Sequence, residues 1–305
     1  MKFEHLRVCP LCSSKSSQKL ASKGRFGEPA HVVFCNDCSL GYLNPRWDGG
    51  SYLQYYQKNY DKSYRKEIIS PSLAKPIEEN IAAKAILERI QTYDHTFHPD
   101  TILDIGSGDG SNLSFLRSQR FHDSRCLAIE PSDLCISALA KKNIELISQD
   151  ANTNWEKETH NLDLICLRHV LEHFLWPAQI LHKVWTALSE QGLVYIAVPN
   201  SLNPKGSIRN RFFRAAHTFY FNKYTLTTFL KRQGLEPAYV LEGDDYNKTE
   251  LVTIAEKTDP DPRFKSYSQE IAEHQIKILR GKIKEQSGLS ARLRKLRIQI
   301  QNLIK

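Results

Sequence analysis

The sequence predicts an α/β protein with a seven-stranded, mostly parallel sheet that ends in an antiparallel hairpin, flanked by a small N-terminal ribbon and a C-terminal helical tail. Three observations predict this fold. Short apolar runs alternate with helical patterns over residues 99–257. A glycine-rich loop follows the first apolar run. Two Cys-x-x-Cys pairs precede the sheet, and a basic helical pattern follows it.

The composition is that of an ordinary globular protein. Of the 305 residues, 41% are hydrophobic and 25% are charged. No run of 18 or more apolar residues is present, and the first residues have no apolar segment of the secretory type. We therefore expect a cytoplasmic protein, whose seven cysteines are metal ligands or free thiols.

The chain divides into four predicted regions. Residues 1–46 form the ribbon, residues 47–98 an aromatic linker and helical cap, residues 99–257 the sheet domain, and residues 258–305 a basic amphipathic tail. The net charge of +8 is concentrated in this tail. Because the charge lies outside the sheet domain, we expect no nucleic-acid partner.

Apolar runs and breaker residues predict the elements of the sheet domain. The expected strands are residues 101–105, 126–130, 144–148, 162–167 and 193–198, and residues 235–242 and 250–256 form the closing hairpin. Gly192 is expected to end the helix over residues 177–188. A further helix is expected to begin near Ser72, which can cap it.

A glycine-rich loop follows the first strand. Residues 102–110 read Ile-Leu-Asp-Ile-Gly-Ser-Gly-Asp-Gly and lead into a helix, whose free N–H groups can face a ligand. Position 111 is Ser, so the dinucleotide pattern G-x-G-x-x-G is not met. An acidic residue before the first glycine suits a cationic ligand with an ammonium group. The predicted ligand contacts are Asp104, Gly106, Ser107, Gly108 and Gly110.

Polar groups follow the next strands at the same edge of the sheet. Glu130 ends the second strand, where a carboxylate can accept both hydroxyls of a ribose. Asp150 follows the third strand and can accept from an adenine amino group. Leu167 and Arg168, near the end of the fourth strand, are expected to line the ligand through their backbone. A glycine loop alone is compatible with a plain turn, but this combination predicts one cofactor crevice.

These motifs resemble those of the class I S-adenosylmethionine-dependent methyltransferases. The resemblance is carried by Leu-Asp-Ile-Gly-Ser-Gly-Asp-Gly at residues 103–110 and His-Val-Leu-Glu-His at residues 169–173. It implies a Rossmann-like methyltransferase sheet, S-adenosylmethionine as the cofactor and methyl transfer as the reaction. The terminal hairpin also fits this variant of the fold better than a dehydrogenase.

Two cysteine pairs predict a structural zinc site. Cys9 and Cys12 form one Cys-x-x-Cys knuckle, and Cys35 and Cys38 form the second. Four thiolates complete a tetrahedral zinc site and leave no open position. A redox pair is the alternative, but it needs a single Cys-x-x-Cys beside a βαβ unit. Ser follows each pair where such knuckles often carry Gly.

The segment after the second knuckle resembles a known layout. Residues 38–46 read Cys-Ser-Leu-Gly-Tyr-Leu-Asn-Pro-Arg, and a tyrosine-rich stretch follows. Sugar C-methyltransferases and methyltransferases associated with surface polysaccharides share this order of ribbon, Leu-x-Pro-Arg segment and catalytic domain. The resemblance implies a small-molecule acceptor, namely a sugar or glycan precursor that is methylated at oxygen or carbon.

Histidines near the fourth strand are the candidates for acid–base chemistry. A methyltransferase must position the acceptor and often removes its proton, a task that histidine suits near neutral pH. In the resembling sugar enzymes a Glu-His pair lies beside the acceptor, which makes Glu172 and His173 candidates for acceptor binding and base. His217 is the second candidate base, and His169 shares a face with His173 if the segment is helical. The alternatives are that His169 packs over the adenine, that His173 bonds backbone and that His217 is structural.

Two other groups of residues each have two interpretations. Arg209, Arg211 and Arg214 can bind a phosphate of the acceptor or form a solvated face. The aromatic cluster caps the acceptor or packs between the ribbon and the sheet domain. Its members are Trp47, Tyr52, Tyr55, Tyr56, Tyr60 and Tyr64.

The tail carries a short heptad pattern with several cationic side chains. Three roles remain open: docking on its own chain, pairing with another copy in a homo-oligomer, or contact with an anionic membrane surface. The apolar positions are Leu289, Leu293, Leu296, Ile300 and Leu303.

Two other functions remain as alternatives. Zinc-ribbon enzymes that methylate RNA share the general layout, although those pair two Cys with a knuckle that contains His. A non-catalytic cofactor-binding scaffold is the second alternative, and it would bind the cofactor without turnover.

Overall fold

The computed structural model describes residues 1–25, 27–56, 80–204, 207–208 and 212–303, with side chains described up to residue 286. Several predictions lie outside these residues: the helix start at Ser72, the roles of Tyr60, Tyr64, Arg209 and Arg211, and the side chains of the heptad pattern.

The N-terminal region consists of short antiparallel strands and one helix. Two of the strands pair with each other, and the other three form a separate sheet. The elements are β1 (Phe3–Glu4), β2 (Ser17–Lys23), β3 (Pro29–Cys35), β4 (Gly41–Leu43), β5 (Arg46–Trp47) and α1 (Gly49–Tyr55). The peptide bond between Asn44 and Pro45 is cis.

The central sheet is parallel except at one edge. Its strands are β6 (Thr101–Ile105), β7 (Arg125–Ile129), β8 (Glu145–Ser148), β9 (Leu162–Arg168), β10 (Leu188–Pro199), β12 (Leu235–Pro237), β13 (Leu241–Glu242) and β14 (Glu250–Lys257). The order is β12-β14-β10-β9-β6-β7-β8, and β13 also pairs with β14. Because β14 runs antiparallel to β10, β12 and β13, the predicted Rossmann-like sheet with a terminal antiparallel hairpin is confirmed.

Helices connect the parallel strands and precede the first of them. They are α2 (Ile81–Tyr93), α3 (Ser111–Gln119), α4 (Asp133–Lys141), α5 (Pro177–Ala187), α6 (Lys223–Arg232) and the long C-terminal α7 (Gln269–Leu303). Among the residues that the structure describes, no helix combines the length and the hydropathy needed to cross a bilayer.

Alternate residues of the central strands face opposite cores. Leu103 of β6 packs in one apolar cluster, and its neighbour Ile102 packs in the other. On β9, Ile165 and Leu164 divide in the same way. A parallel sheet that is covered on both faces needs nearly continuous apolar strands, so polar functional groups are confined to the strand ends.

The prediction that Gly192 ends a helix is wrong. Helix α5 ends at Ala187, and β10 already begins at Leu188. Gly192 lies inside β10, where the pairing with β9 shifts between Leu188 and Leu193. A Cβ at Gly192 would lie 2.7 Å from the Leu162 carbonyl oxygen, so glycine serves the close approach of two strands.

A strand from the second half of the chain completes the N-terminal sheet. The strand β11 (Phe219–Tyr220) pairs antiparallel with β4, and the resulting order is β11-β4-β3-β2. The ribbon is therefore tied to the segment that follows β10 by backbone hydrogen bonds.

The first part of α7 docks on its own chain. Ile276, Leu279 and Ile283 lie at helical spacing and pack with Val32 and Phe34 of the ribbon. The heptad pattern itself begins at Leu289, outside the residues whose side chains are described, so the three roles expected for it stay predictions.

A buried polar network reinforces this docking. Asn222, which caps α6, donates its side-chain amide to Ser39 Oγ at 2.9 Å and to Gln275 Oε1 at 2.8 Å. The Ser39 hydroxyl also contacts Gln275 Oε1. All three side chains are buried, so each depends on its partners for hydrogen bonds.

We expect Gln275→Ala to lower the free energy of unfolding by about 1–3 kcal/mol, because it leaves buried polar groups without one acceptor. Denaturant unfolding measures this change. Gln269→Ala is the matched control, since Gln269 is exposed on the same helix, and it should change stability by less than about 0.5 kcal/mol. Equal effects of the two substitutions would show that the network does not hold α7.

Candidate active site

The glycine loop has a backbone that other residues rarely adopt. Gly106 and Gly110 have φ angles of 76° and 75°. A Cβ at Gly106 would lie 2.9 Å from Val170, and one at Gly110 would lie 2.4 Å from Ile144. Gly106 N–H donates to the Ile129 carbonyl at 2.7 Å, which holds the loop against the end of β7. The glycines therefore meet both a conformational and a packing requirement.

Glu130 is fully buried beneath this loop. Its carboxylate accepts from Gly108 N–H at 2.7 Å and from Ser132 N–H at 2.9 Å. The nearby Ser107 Oγ is buried and has no hydrogen-bond partner among the described residues. An unsatisfied hydroxyl beside an ordered carboxylate fits a polar ligand such as the predicted cofactor, and the role of Glu130 toward a ribose stays a prediction.

At this edge of the sheet, the carboxyl group of Asp104 has a strongly raised pKa. Burial, followed by the charge of Glu130, raises the pKa of Asp104 to about 7, although the charge of Arg168 opposes this shift. Its side chain is 3% exposed. A nearby cation would therefore favour the ionised form of Asp104.

A cavity of about 510 Å³ opens at the carboxyl ends of the strands. Of the predicted cofactor residues, Gly106 and Asp150 line it, and the others belong to the loop and strand ends next to these two. Leu167 is buried in the core. Of the predicted catalytic residues, His169 and His173 line the cavity. The volume is in the range of small-molecule sites.

Aromatic and aliphatic side chains form the other wall of the cavity. Helix α1 contributes Tyr52 and Tyr56, and the segment after β9 contributes Phe174 and Trp176. Both tyrosines line the cavity, and Tyr52 is also buried and donates to the Ala215 carbonyl at 2.7 Å, so packing is seen for this member of the aromatic cluster and a role in capping the acceptor stays a prediction.

Arg46 joins the ribbon to this wall. Its buried guanidinium pairs with Glu4 at 2.6 Å and donates to the Leu175 carbonyl at 2.8 Å. It also lies over the Trp176 ring, 4.6 Å from its centroid. The Leu-x-Pro-Arg segment resembles a known layout, but the sequence did not predict this contact of Arg46.

His169 is held at the end of β9 by a carboxylate from β14. Its φ is 53°, and its N–H donates to the Ala197 carbonyl at 2.8 Å. The ring donates from Nε2 to Glu250 at 2.8 Å, and Glu250 in turn lies 3.6 Å from Arg89. Arg89 also pairs with Asp244 and contacts the Tyr195 hydroxyl.

The segment Leu171–His173 is a single 3₁₀ turn. The condition for a shared helical face of His169 and His173, an α-helical segment, is therefore not met. The left-handed backbone at His169 breaks the helical geometry before it begins.

The remaining candidates lie deeper. Glu172 is 1% exposed, with Oε1 3.6 Å from His169 Nδ1 and 3.8 Å from His173 Nε2. His217 is 5% exposed and does not line the cavity. Its ring packs edge-on against His173 with the centroids 4.8 Å apart. His173 donates from Nδ1 to the Ala216 carbonyl at 2.9 Å, which is the backbone bond that the structural alternative expected.

The three histidines differ in their protonation behaviour. Burial lowers the pKa of His169, but the carboxylates of Glu172 and Glu250 outweigh it, and the net pKa is raised above the ordinary value. Burial lowers the pKa of His173 and, more strongly, that of His217. The charge of half-buried Arg214 lowers both further, so these two rings are neutral at pH 7.

Sequence analysis missed Glu250, Arg89 and Trp176. Arg89 is a charged residue among apolar positions of α2, which signals a buried partner without naming it. Glu250 and Trp176 carried no local signal, because their partners lie 81 and 130 residues away along the chain.

The four cysteines of the ribbon come together. The Sγ atoms of Cys9 and Cys38 are 3.6 Å apart, and those of Cys12 and Cys35 are 3.4 Å apart. All four lie within 4.8 Å of one another. In tetrahedral zinc with bonds of about 2.3 Å, thiolates lie about 3.8 Å apart, so the cluster fits structural zinc.

The serines that replace the usual knuckle glycines adopt the same backbone. Ser13 and Ser39 have φ angles of 61° and 59°. Each donates its N–H to the carbonyl of the first cysteine of its pair, at 2.9 and 3.0 Å. The two knuckles are therefore equivalent, and Ser39 gains the network contact with α7.

Comparisons with known proteins agree with this geometry. No curated protein matches the sequence. The solved structure of the Burkholderia thailandensis 1,6-didemethyltoxoflavin-N1-methyltransferase with S-adenosylhomocysteine is 16% identical, with a TM-score of 0.51 over 72% of this chain and 96% of that chain.

Two further structures, also with bound S-adenosylhomocysteine, give similar values. The plantazolicin methyltransferase BamL is 17% identical, with a TM-score of 0.52 over 68% of this chain and 94% of that chain. The magnesium protoporphyrin IX methyltransferase of Synechocystis is 11% identical, with a TM-score of 0.50 over 69% of this chain and 100% of that chain. At these identities the likeness shows the fold.

A family model described as a methyltransferase domain matches residues 75–240, which is more than half of the chain. The chain therefore belongs to the methyltransferase-domain family, and the prediction of a class I S-adenosylmethionine-dependent methyltransferase is confirmed.

Proposed function

We propose that this chain transfers the methyl group of S-adenosylmethionine to a small molecule, namely a sugar or glycan precursor with a reactive hydroxyl group. One observation carries the proposal. A single cavity of about 510 Å³ extends from the glycine loop and Asp150 to an aromatic wall and two histidines. Its volume is in the range of small-molecule sites, and its two ends differ in their chemistry.

The cofactor end of the cavity suits S-adenosylmethionine. Asp150 lines it and can accept from the adenine amino group, and Glu130 lies beneath the loop, where it can reach the ribose. Asp104 is ionised in the presence of a cation and so favours the ammonium group. Bound S-adenosylmethionine supplies an electrophilic methyl group on a sulfonium.

The acceptor end suits a flat or sugar-like molecule. Tyr56, Phe174 and Trp176 offer ring faces, and His169 and His173 offer polar contacts between them. The structures compared above belong to methyltransferases named for three different acceptors. The choice of a sugar or glycan precursor therefore depends on this cavity and on the layout of ribbon and Leu-x-Pro-Arg segment.

His169 is the general base in this proposal. Its Nε2–H is held by Glu250, and its Nδ1, which lies 3.6 Å from Glu172 Oε1, accepts the proton of the acceptor hydroxyl. His217 does not reach the cavity, and Nδ1 of His173 is already bonded to the Ala216 carbonyl. Glu250 acts as a positioning residue, and Arg89 supports it.

Label transfer tests the proposed function. The purified full chain is mixed with methyl-labelled S-adenosylmethionine and a cell extract of its source, and the products are fractionated. We expect label in small molecules that glycosidases convert to labelled sugar. Label that ribonuclease removes would instead identify an RNA methyltransferase. Bound cofactor without label in any fraction, from an extract supplemented with purified glycan precursors, would support the scaffold alternative.

The base assignment is tested by His169→Asn and Glu250→Gln. Loss of a general base lowers kcat by about 10²–10⁴-fold, and we expect this of His169→Asn. A neutral His169 is needed for activity, and its pKa is raised by Glu250. Glu250→Gln should therefore move the acid limb of the pH profile of kcat/KM to lower pH.

The matched control is His182→Asn, because the His182 ring stacks on Trp185 and does not line the cavity. Its activity should equal that of the wild type. Retention of activity by His169→Asn, or an acid limb that Glu250→Gln leaves unmoved, would refute the assignment.

Because the pKa of Asp104 is about 7, we expect cofactor affinity to depend on pH. Its carboxyl group is protonated below its pKa of about 7, and only the ionised form attracts the ammonium group. Between pH 6 and pH 8, the Kd of S-adenosylhomocysteine should fall about tenfold, measured by calorimetry. Asp104→Asn should bind more weakly and lose this dependence. A wild-type Kd that is constant over the range would contradict the prediction.

A further inference from the structure

The carboxylate of Glu172 is buried without a hydrogen bond. The residue is 1% exposed, and neither carboxylate oxygen has a hydrogen-bond partner among the described residues. A buried carboxylate without hydrogen bonds is unfavourable unless a cation or a donor compensates it. His169 Nδ1 lies 3.6 Å from Oε1, which pairs the two groups without a hydrogen bond, so both carboxylate oxygens can still bind a metal cation.

Two imidazoles face this carboxylate. His173 Nε2 lies 3.8 Å from Glu172 Oε1, and the His217 ring packs edge-on against His173. One ligand atom from each of the three residues lies within 4.8 Å of the other two. His217 is 5% exposed, and its Nδ1 has no hydrogen-bond partner among the described residues.

The orientation of His173 is already fixed for ligation. Its Nδ1–H donates to the Ala216 carbonyl at 2.9 Å, and the Tyr56 hydroxyl lies 2.8 Å from the same nitrogen. The lone pair is therefore on Nε2, which points to Glu172. Metal-bound histidines commonly donate their second ring nitrogen to a backbone carbonyl in this way.

We propose that Glu172, His173 and His217 bind a second divalent metal ion, of the zinc class, beside the acceptor end of the cavity. Two imidazoles and one carboxylate are a ligand set typical of zinc sites that keep an open position. Zinc bonds of about 2.0–2.1 Å place ligand atoms about 3.3 Å apart, so small side-chain rotations close the site.

This site is independent of the proposed acceptor, because it depends only on the three ligands. If the proposed function also holds, an acceptor oxygen at the open position would be held at the cavity wall that His173 lines, and the cation would make its proton more acidic. His169 would remain the group that accepts this proton.

Metal content tests the proposal without reference to turnover. The full chain is stripped with a chelator under reducing conditions, reloaded with zinc, and passed through a desalting column. Zinc per chain is then measured by mass spectrometry. We expect two zinc ions in the wild type: one in the cysteine cluster and one at the proposed site. Glu172→Gln and His217→Gln should each hold one.

Two controls accompany the count. His182→Gln should keep two zinc ions, and Cys35→Ser should lose the cysteine-bound ion only. S-adenosylhomocysteine binding and circular dichroism show whether the Glu172 and His217 variants are folded. One zinc ion per wild-type chain, or two in both folded variants, would overturn the proposal.

If those variants do not fold, a cobalt titration of the wild type tests for the second metal site. The cysteine cluster should take the first equivalent with a thiolate charge-transfer band. A second equivalent should add weaker visible bands without further charge transfer. A titration that ends after one equivalent would overturn the proposal, and activity measured on the same sample keeps this outcome separate from failure of the proposed function.

Discussion

The negative charge of Glu172 is the constraint on which the acceptor end of the cavity depends. The carboxylate is buried in the turn after β9, where Oε1 lies 3.6 Å from His169 Nδ1 and 3.8 Å from His173 Nε2, and His217 belongs to the same cluster. The left-handed backbone at His169 and the following 3₁₀ turn bring these rings together. A strained backbone next to a buried charge without hydrogen bonds lowers stability, and such arrangements concentrate at functional sites.

The terminal hairpin also positions a side chain beside His169. Strand β14 lies antiparallel to β10, so its first residue, Glu250, reaches the carboxyl edge of the sheet beside His169. Arg89 of α2 is buried against the same carboxylate and joins it to Asp244 of the preceding loop. The orientation of His169 thus depends on α2, β9 and β14 together, and a change in any of them would alter the position of the candidate base.

Much of the fold could be predicted because it depends on local patterns. Short apolar runs bounded by breaker residues indicated the strands, and the glycine spacing indicated a sharply turning loop, whose glycines have positive φ angles in the structure. The pairing of β11 with β4 and the contact of His169 with Glu250 could not be predicted, because neither leaves a periodic trace in the sequence. The prediction that Gly192 ends a helix was wrong for a related reason. This glycine permits a close approach to Leu162, which is visible only in the folded sheet.

The ribbon supports the aromatic wall of the cavity through its packing. Arg46 holds the backbone at Leu175 and the ring of Trp176, and β4 pairs with β11 directly after His217. Helix α1 follows the ribbon and contributes Tyr56 to the cavity wall. Loss of the cysteine cluster would therefore disturb the aromatic wall of the cavity more than the glycine loop, which is built on β6 and β7. A metal held by the four cysteines would accordingly act on the shape of the cavity wall, although none of these cysteines lines the cavity.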